Sequence, residues 1–186
     1  MYNVIAVMGK SGSGKDTFVK EALRREPSLH NLVSYTTRPI RENEINGVDY
    51  HFISEDDFIE QINSNKMLEY NIFNQWYYGT SIEDFSTEKV NIGVFNPQGV
   101  RDLIKNDNVN VTVLYLTTND KIRLIRQLNR EDNPNVDEII RRYSTDKKDF
   151  SDLTFKYNKL VNNSVADLAV NLSILSSFLK EILGQK

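Results

Sequence analysis

The sequence predicts an α/β fold with a largely parallel central sheet flanked by helices. Three observations predict it. Five short apolar runs rich in β-branched residues (Val4–Met8, Leu32–Tyr35, Val90–Phe95, Val111–Leu116 and Lys159–Val161) have the composition of strands covered on both faces. Helical patterns lie between them, and alternating strands and helices fold as parallel units. The first run turns through Gly9-Lys10-Ser11-Gly12-Ser13-Gly14-Lys15 straight into the first helical pattern.

Each element has a local reason. The helix over Lys15–Arg25 stops before Pro27. A helix over Glu55–Ser64 follows Ser54, a natural N-cap, with Asp57 in the capping-box position. A helix over Pro97–Lys105 follows Asn96 as cap, and Pro97 takes the first helical position, where its missing N–H costs nothing. Helices over Asp120–Asn129 and Val136–Lys147 come next. From Val165 onward, Leu168, Ala169, Leu172, Leu175, Leu179 and Ile182 share one face at helical spacing. The stretch Arg38–Ser81 breaks the rhythm. Strand patterns at Tyr50–Ile53, Met67–Phe73 and Trp76–Tyr78 enclose a helix there, which reads as a small mixed insertion carried on the main sheet. One domain is expected over residues 1–186, with a core of 1–33, 90–118 and 150–186, an insertion of 34–89 and a helical segment of about 119–149.

Composition excludes several classes. A length of 186 residues suits one domain. With 26 acidic against 23 basic side chains, the net charge of -3 offers no basic face for nucleic acid over the whole surface. There are no cysteines, which removes disulfides, thiolate metal sites and cysteine nucleophiles. Only two histidines are present, His30 and His51, so a three-histidine metal site is impossible; both read as structural or surface residues. No apolar run approaches the ~20 residues of a membrane helix, and Met1-Tyr2-Asn3 has no signal-like character. The expectation is a cytoplasmic protein with no membrane partner, a monomer or a homodimer.

The glycine-rich turn after a buried strand and before a helix is the context of a P-loop. Its glycines let backbone N–H groups point inward at phosphate oxygens, the helix N-terminus adds positive potential, and Lys15 reaches the β- and γ-phosphates. Gly9, Ser11, Gly12, Ser13, Gly14, Lys15, Asp16 and Thr17 are therefore the expected ATP-phosphate residues. The position after the lysine is usually Ser or Thr, which holds Mg²⁺; here it is Asp16, with Thr17 behind it. Asp16 fits either a Mg²⁺ ligand, direct or through water, or a first-turn acid that suits the helix dipole.

A second constellation follows: Ser34-Tyr35-Thr36-Thr37-Arg38, then Arg41, Glu44, Gly47 and Tyr50, later Leu68-Glu69 and Tyr78-Gly79-Thr80. Two arginines three residues apart, beside tyrosines, suit a phosphate monoester. Glu69 is a lone acid in a segment poor in charge. It can accept two N–H bonds from one planar partner; guanine presents such a pair at N1 and N2, and adenine does not. Together with the P-loop, this run resembles the guanylate kinase family over nearly the full length. The resemblance implies a P-loop kinase fold whose insertion binds the nucleoside monophosphate and whose helical segment is a lid. It implies that Ser34, Glu69 and Thr80 read guanine, that Arg38, Arg41, Tyr50 and Tyr78 hold the GMP phosphate beside Gly79, and that Glu44 orients Arg41 or touches the ligand.

Arg123, Arg126, Arg130, Arg141 and Arg142 flank the polar loop Glu131-Asp132-Asn133-Pro134-Asn135. By resemblance, Arg130 and Arg141 act on the moving phosphoryl group as the lid closes, Arg126 contacts ATP one turn earlier, and Asn162 lies at the adenine. The family has glycine after the first of these arginines, where this chain has Glu131. It also carries two acids just before its Gln-Gly pair, here Gln98-Gly99; the matching positions are Val94 and Asn96. Asn96 keeps a polar group for the GMP site but is also a helix cap. Asp16 restores from the other side some of the negative charge lost there.

The expected activity is transfer of the γ-phosphoryl of ATP to GMP or dGMP with Mg²⁺, with Lys15, Arg38, Arg130 and Arg141 as catalytic groups. The alternatives are a kinase of another monophosphate and a catalytically weakened GMP-binding module.

Overall fold

The computed structural model describes residues 1–42, 44–73 and 75–184. A five-stranded sheet of order β2-β7-β1-β8-β9 forms the core, built from β1 (Tyr2–Met8), β2 (Leu29–Asn31), β7 (Val90–Val94), β8 (Val109–Thr117) and β9 (Asn158–Val161). Every pairing in it is parallel. The middle strand shows why it sits centrally. Ile5 and Val7 point to one face, where they pack with α1 (Lys15–Arg25) and α6 (Val165–Ile182). Val4, Ala6 and Met8 point to the other face, under α3 (Pro97–Ile104). All five are fully buried, as a two-sided strand requires.

A second sheet, of order β4-β3-β6-β5, uses β3 (Tyr35–Thr36), β4 (His51–Phe52), β5 (Met67–Phe73) and β6 (Trp76–Ser81). One of its pairings is parallel and two are antiparallel, so the insertion is mixed, as expected. Helix α2 (Glu55–Asn63) lies within it and buries Phe58. Helices α4 (Asp120–Leu128) and α5 (Val136–Asp149) form the segment after β8.

Side-chain caps set most helix starts. Ser54, Asn96, Asn119, Asn135 and Ser164 each accept a backbone N–H of the following turn. The reciprocal capping box forms at Ser164 and Asp167. At Ser54 the hydroxyl donates to the Asp57 carboxylate instead, and the box is half made.

One strand reading needs correction. Leu32–Tyr35 is not a strand: β2 ends at Asn31 and β3 begins at Tyr35. The apolar run there crosses from one sheet to the other. Leu32 still donates its N–H to Ile92 and is buried, so its hydrophobicity serves packing rather than a continued ladder. Among the described residues, no helix is long and apolar enough to cross a membrane.

Candidate active site

The tight turn after β1 is built to hold anions. Gly12 and Gly14 adopt φ of 78° and 87°, which L side chains avoid. A Cβ at Gly12 would lie 2.5 Å from the Arg123 carbonyl, and one at Gly9 would lie 2.5 Å from the Leu116 carbonyl. The loop is thus wedged between β8 and α4, and the Ser13 N–H closes it on the Lys10 carbonyl at 3.0 Å. Lys15 lies within the loop with its ammonium 3.4 Å from the Lys10 carbonyl. Burial lowers its pKa, and the carboxylates of Asp16 and Asp146 oppose that shift.

The loop is braced from behind. Asn162 donates its amide to the Ser13 carbonyl at 2.8 Å and is 4% exposed. The Asn162 amide thus braces the loop, and among the described residues its Oδ1 is buried without a hydrogen-bond partner. Arg126 likewise donates to the carbonyls of Gly12, Asn162 and Asn163. Ser13 is fully buried, and Asp16 and Thr17 are exposed at the start of α1.

Across one cavity of about 320 Å³, the loop faces the second constellation. Gly9, Ser11, Lys15 and Asp16 line one wall, and Ser34, Arg38, Arg41, Tyr50 and Tyr78 line the other. Arg38 is 5% exposed, with its guanidinium 4.9 Å from the Tyr50 ring centre and 5.1 Å from that of Phe52. Glu44 grips that guanidinium with both oxygens and also accepts the Arg41 backbone N–H. It therefore orients Arg38 rather than the Arg41 side chain. Arg41 has its pKa lowered by burial and by the charges of Arg142 and Arg38. Three guanidiniums brought together this way create a demand for an anion. Burial pushes the Tyr50 hydroxyl up to about 12, so it remains a donor at neutral pH.

At the far end lies Glu69, 6% exposed. Thr80, fully buried behind it, donates its hydroxyl to Oε1 at 2.8 Å, and Ser34 lies 3.4 Å from the same hydroxyl. Burial raises the Glu69 pKa to about 7. Gly79 is buried where a Cβ would meet the Glu69 carbonyl at 2.7 Å, so β5 and β6 approach closely only with glycine there. Asn96 serves two ends: Oδ1 caps α3 on the Gly99 N–H at 2.8 Å, and Nδ2 donates to Asn71 at 3.0 Å. Val94 is half-buried in the same cavity.

Arg130, Glu138, Arg141 and Arg142 close the cavity from the helical segment. Glu138 accepts from Arg141 at 2.6 Å and from Arg142 at 2.8 Å, and the Arg141 hydrogen bond is the largest cause of a Glu138 pKa near about 2. Three contributors escaped the sequence reading: Asn71, Arg123 as a buried group, and Asp146. The i, i+4, i+8 spacing of Glu138, Arg142 and Asp146 marks one helix face and is the signal that could have found the last.

Among the described residues, no three His, Asp or Glu side chains cluster to hold a metal ion. Asp16 and Asp146 do line the same cavity beside Lys15. One or two carboxylates suit a Mg²⁺ that arrives on phosphate oxygens and keeps its waters.

Comparison with known proteins agrees with this geometry. The family model described as guanylate kinase matches residues 1–181. A guanylate kinase of Sulfurimonas denitrificans is 29% identical over 177 residues, covering 93% of this chain and 86% of the relative. One of Campylobacter jejuni is 28% identical over 165 residues, covering 86% and 80%. A crystal structure of guanylate kinase from Anaplasma phagocytophilum has the same fold, with a TM-score of 0.69 at 20% identity, covering 97% of this chain and 86% of that one.

Proposed function

The chain belongs to the guanylate kinase family, and we propose that it transfers the γ-phosphoryl group of ATP to GMP or dGMP with the residues of this single cavity. One observation carries the reading. Two anion-binding walls, the loop around Lys15 and the arginines around Arg38, face each other across a cavity whose far end holds the buried Glu69.

The acceptor region is 34–89 and the lid about 119–149. In the acceptor region, Arg38, Arg41, Tyr50 and Tyr78 hold the GMP phosphate as donors. Glu69, supported by Thr80 and Ser34, accepts from guanine N1–H and N2–H. Adenine has no such pair of donors and would leave a buried carboxylate unsatisfied, which is a costly mismatch. Asn96 and Gly79 shape this end.

The acceptor is a phosphate anion and needs no general base. Catalysis is alignment plus neutralisation of charge. Lys15 holds the donor phosphates while Gly9, Ser11, Gly12, Ser13 and Gly14 supply the cradle. Arg126 and Asn162 keep that cradle in shape. Arg130 and Arg141 bring positive charge over the transferring group from the lid, which also excludes water. Asp16 and Asp146, which line the cavity beside Lys15, would hold a Mg²⁺ brought by the nucleotide, and the ion would supply further charge neutralisation. The residues present suit it only as a partner of the nucleotide.

Calorimetric titration with GMP, dGMP, AMP, CMP and UMP tests the acceptor end. Binding confined to the guanine nucleotides is expected; equal binding of AMP would move the reading to another monophosphate. Guanine-selective binding of the acceptor without phosphoryl transfer would favour the binding-module alternative, for which the loss of carboxylates at Val94 and Asn96 is the motivating observation.

A further inference from the structure

The Ser11 peptide of the phosphate loop is gripped on both sides from the lid helices. Its N–H donates to Oδ2 of Asp146 at 2.8 Å, and its carbonyl accepts from Nη1 of Arg123 at 2.8 Å. The same Nη1 donates to the same Asp146 Oδ2 at 3.2 Å, which closes the ring. The Arg123 side chain is 1% exposed and that of Asp146 13%. Arg123 is also bound by Asp120 at 2.7 Å, and Tyr143 donates its hydroxyl to the other Asp120 oxygen at 2.9 Å.

One guanidinium is thus divided between two carboxylates, which leaves the trio one negative charge beside the Lys15 ammonium, on which Asp146 acts. Oδ2 of Asp146 is fully engaged. Among the described residues, Oδ1 makes only a long 3.5 Å contact, to the Ser11 hydroxyl, and Asp146 lines the cavity together with Lys15 and Asp16. The Asp146 carboxylate in this cavity wall opposes the phosphates that Lys15 and the loop attract. A bare polyphosphate would bring several negative charges to that carboxylate. A polyphosphate that carries a divalent cation would bring fewer, and its coordinated waters could donate to Oδ1.

We infer that Asp146 is a specificity-determining residue that makes this site discriminate Mg²⁺-bound ATP from free ATP, and this inference rests on the phosphotransfer reading of the site. Of the carboxylates that line the cavity, Asp16 and Asp146 are the two whose charges act on Lys15. Asp146 differs from Asp16 in being held in place by two hydrogen-bond donors, Ser11 and Arg123.

The test measures ATP affinity by calorimetry, with Mg²⁺ and with chelator, for the wild-type chain, Asp146→Asn and Asp146→Ala. Melting temperatures run in parallel to establish that each variant folds. Asparagine keeps an acceptor for the Ser11 N–H and removes the charge; alanine removes both. Both variants should bind free ATP more tightly than the wild type, on the order of five- to tenfold, the value of one water-screened charge about 4 Å away. Affinity for Mg²⁺-bound ATP should stay level or fall, so the preference for the Mg²⁺ form shrinks in both. An unchanged preference in both variants would overturn the inference and leave the phosphotransfer reading intact. So would an equal loss for both forms of ATP, which is what a purely structural brace predicts. A wild-type chain that binds neither form would overturn the inference and the phosphotransfer reading together.

Discussion

Glu44 clasps Arg38 with both carboxylate oxygens at 2.7 Å, and the two side chains are only 10% and 4% exposed. The pair fixes the plane of a guanidinium that faces the acceptor cavity. Glu44→Ala would leave that charge buried without its partner. The expected cost is about 3 kcal/mol of stability, read as a lower urea midpoint, together with a KM for GMP raised at least about tenfold. Glu44→Gln, which keeps one acceptor, should fall between. If Glu44→Ala retains wild-type stability and KM, Arg38 does not depend on this clasp.

Glu69 gives the site a pH dependence. Burial lifts its pKa from 4.5 to about 7, and only the ionised form can accept both guanine protons. GMP affinity should therefore fall as pH drops below about 7, approaching tenfold per unit. Near pH 7 binding should release about half a proton, visible as a buffer-dependent heat. The stability of the nucleotide-free protein should follow the opposite trend. A carboxyl whose folded pKa is raised stabilises the fold below its unfolded pKa, and that contribution is lost as pH rises from 4.5 to about 7. Glu69→Gln should flatten both profiles. A flat wild-type GMP profile between pH 5 and 8 would contradict this role.

Asn96 has two separable duties. Its Oδ1 caps α3, and its Nδ2 joins Asn71. Asn96→Ala should lose about 1 kcal/mol from the missing cap. Asn96→Asp keeps the cap but sets two oxygens against each other at Asn71. It should hold the melting temperature near wild type while changing KM for GMP. A melting temperature that falls as far in Asn96→Asp as in Asn96→Ala would show that the Asn71 bond, not the cap, carries the stability.

The lid arginines should act on turnover. Glu138 ties Arg141 and Arg142 on one helix face and is held at a pKa of about 2, so this tie persists across neutral pH and is lost only in strong acid. Arg141→Met should lower kcat on the order of a hundredfold with a smaller change in KM for GMP. A change confined to KM would place Arg141 in ground-state binding instead.

The parts of this protein that were legible in its sequence are those written locally. The loop from Gly9 to Lys15 depends on glycines placed next to one another, and α1 follows it with the expected bounds. Arg38, Arg41, Tyr50, Glu69 and Tyr78 were singled out because their spacing forms one recognisable run, and the structure gathers them at one cavity. The Leu32–Tyr35 stretch misled because an apolar crossover between two sheets has the same composition as a buried strand. Spacing could place Asp146 on the face of Glu138 and Arg142, but not beside its partner Ser11, which lies 135 residues away. Asn162 was singled out by resemblance alone, and its bond to Ser13, 149 residues earlier in the chain, is a contact that only the fold reveals.

The most direct test of the central claim is a coupled assay of ADP formation with ATP, Mg²⁺ and, in turn, GMP, dGMP, AMP, CMP and UMP. The account predicts turnover with GMP and dGMP alone, abolished in Lys15→Met and sharply reduced in Glu69→Gln. Turnover with AMP at a comparable rate, or no turnover with any acceptor, would contradict it.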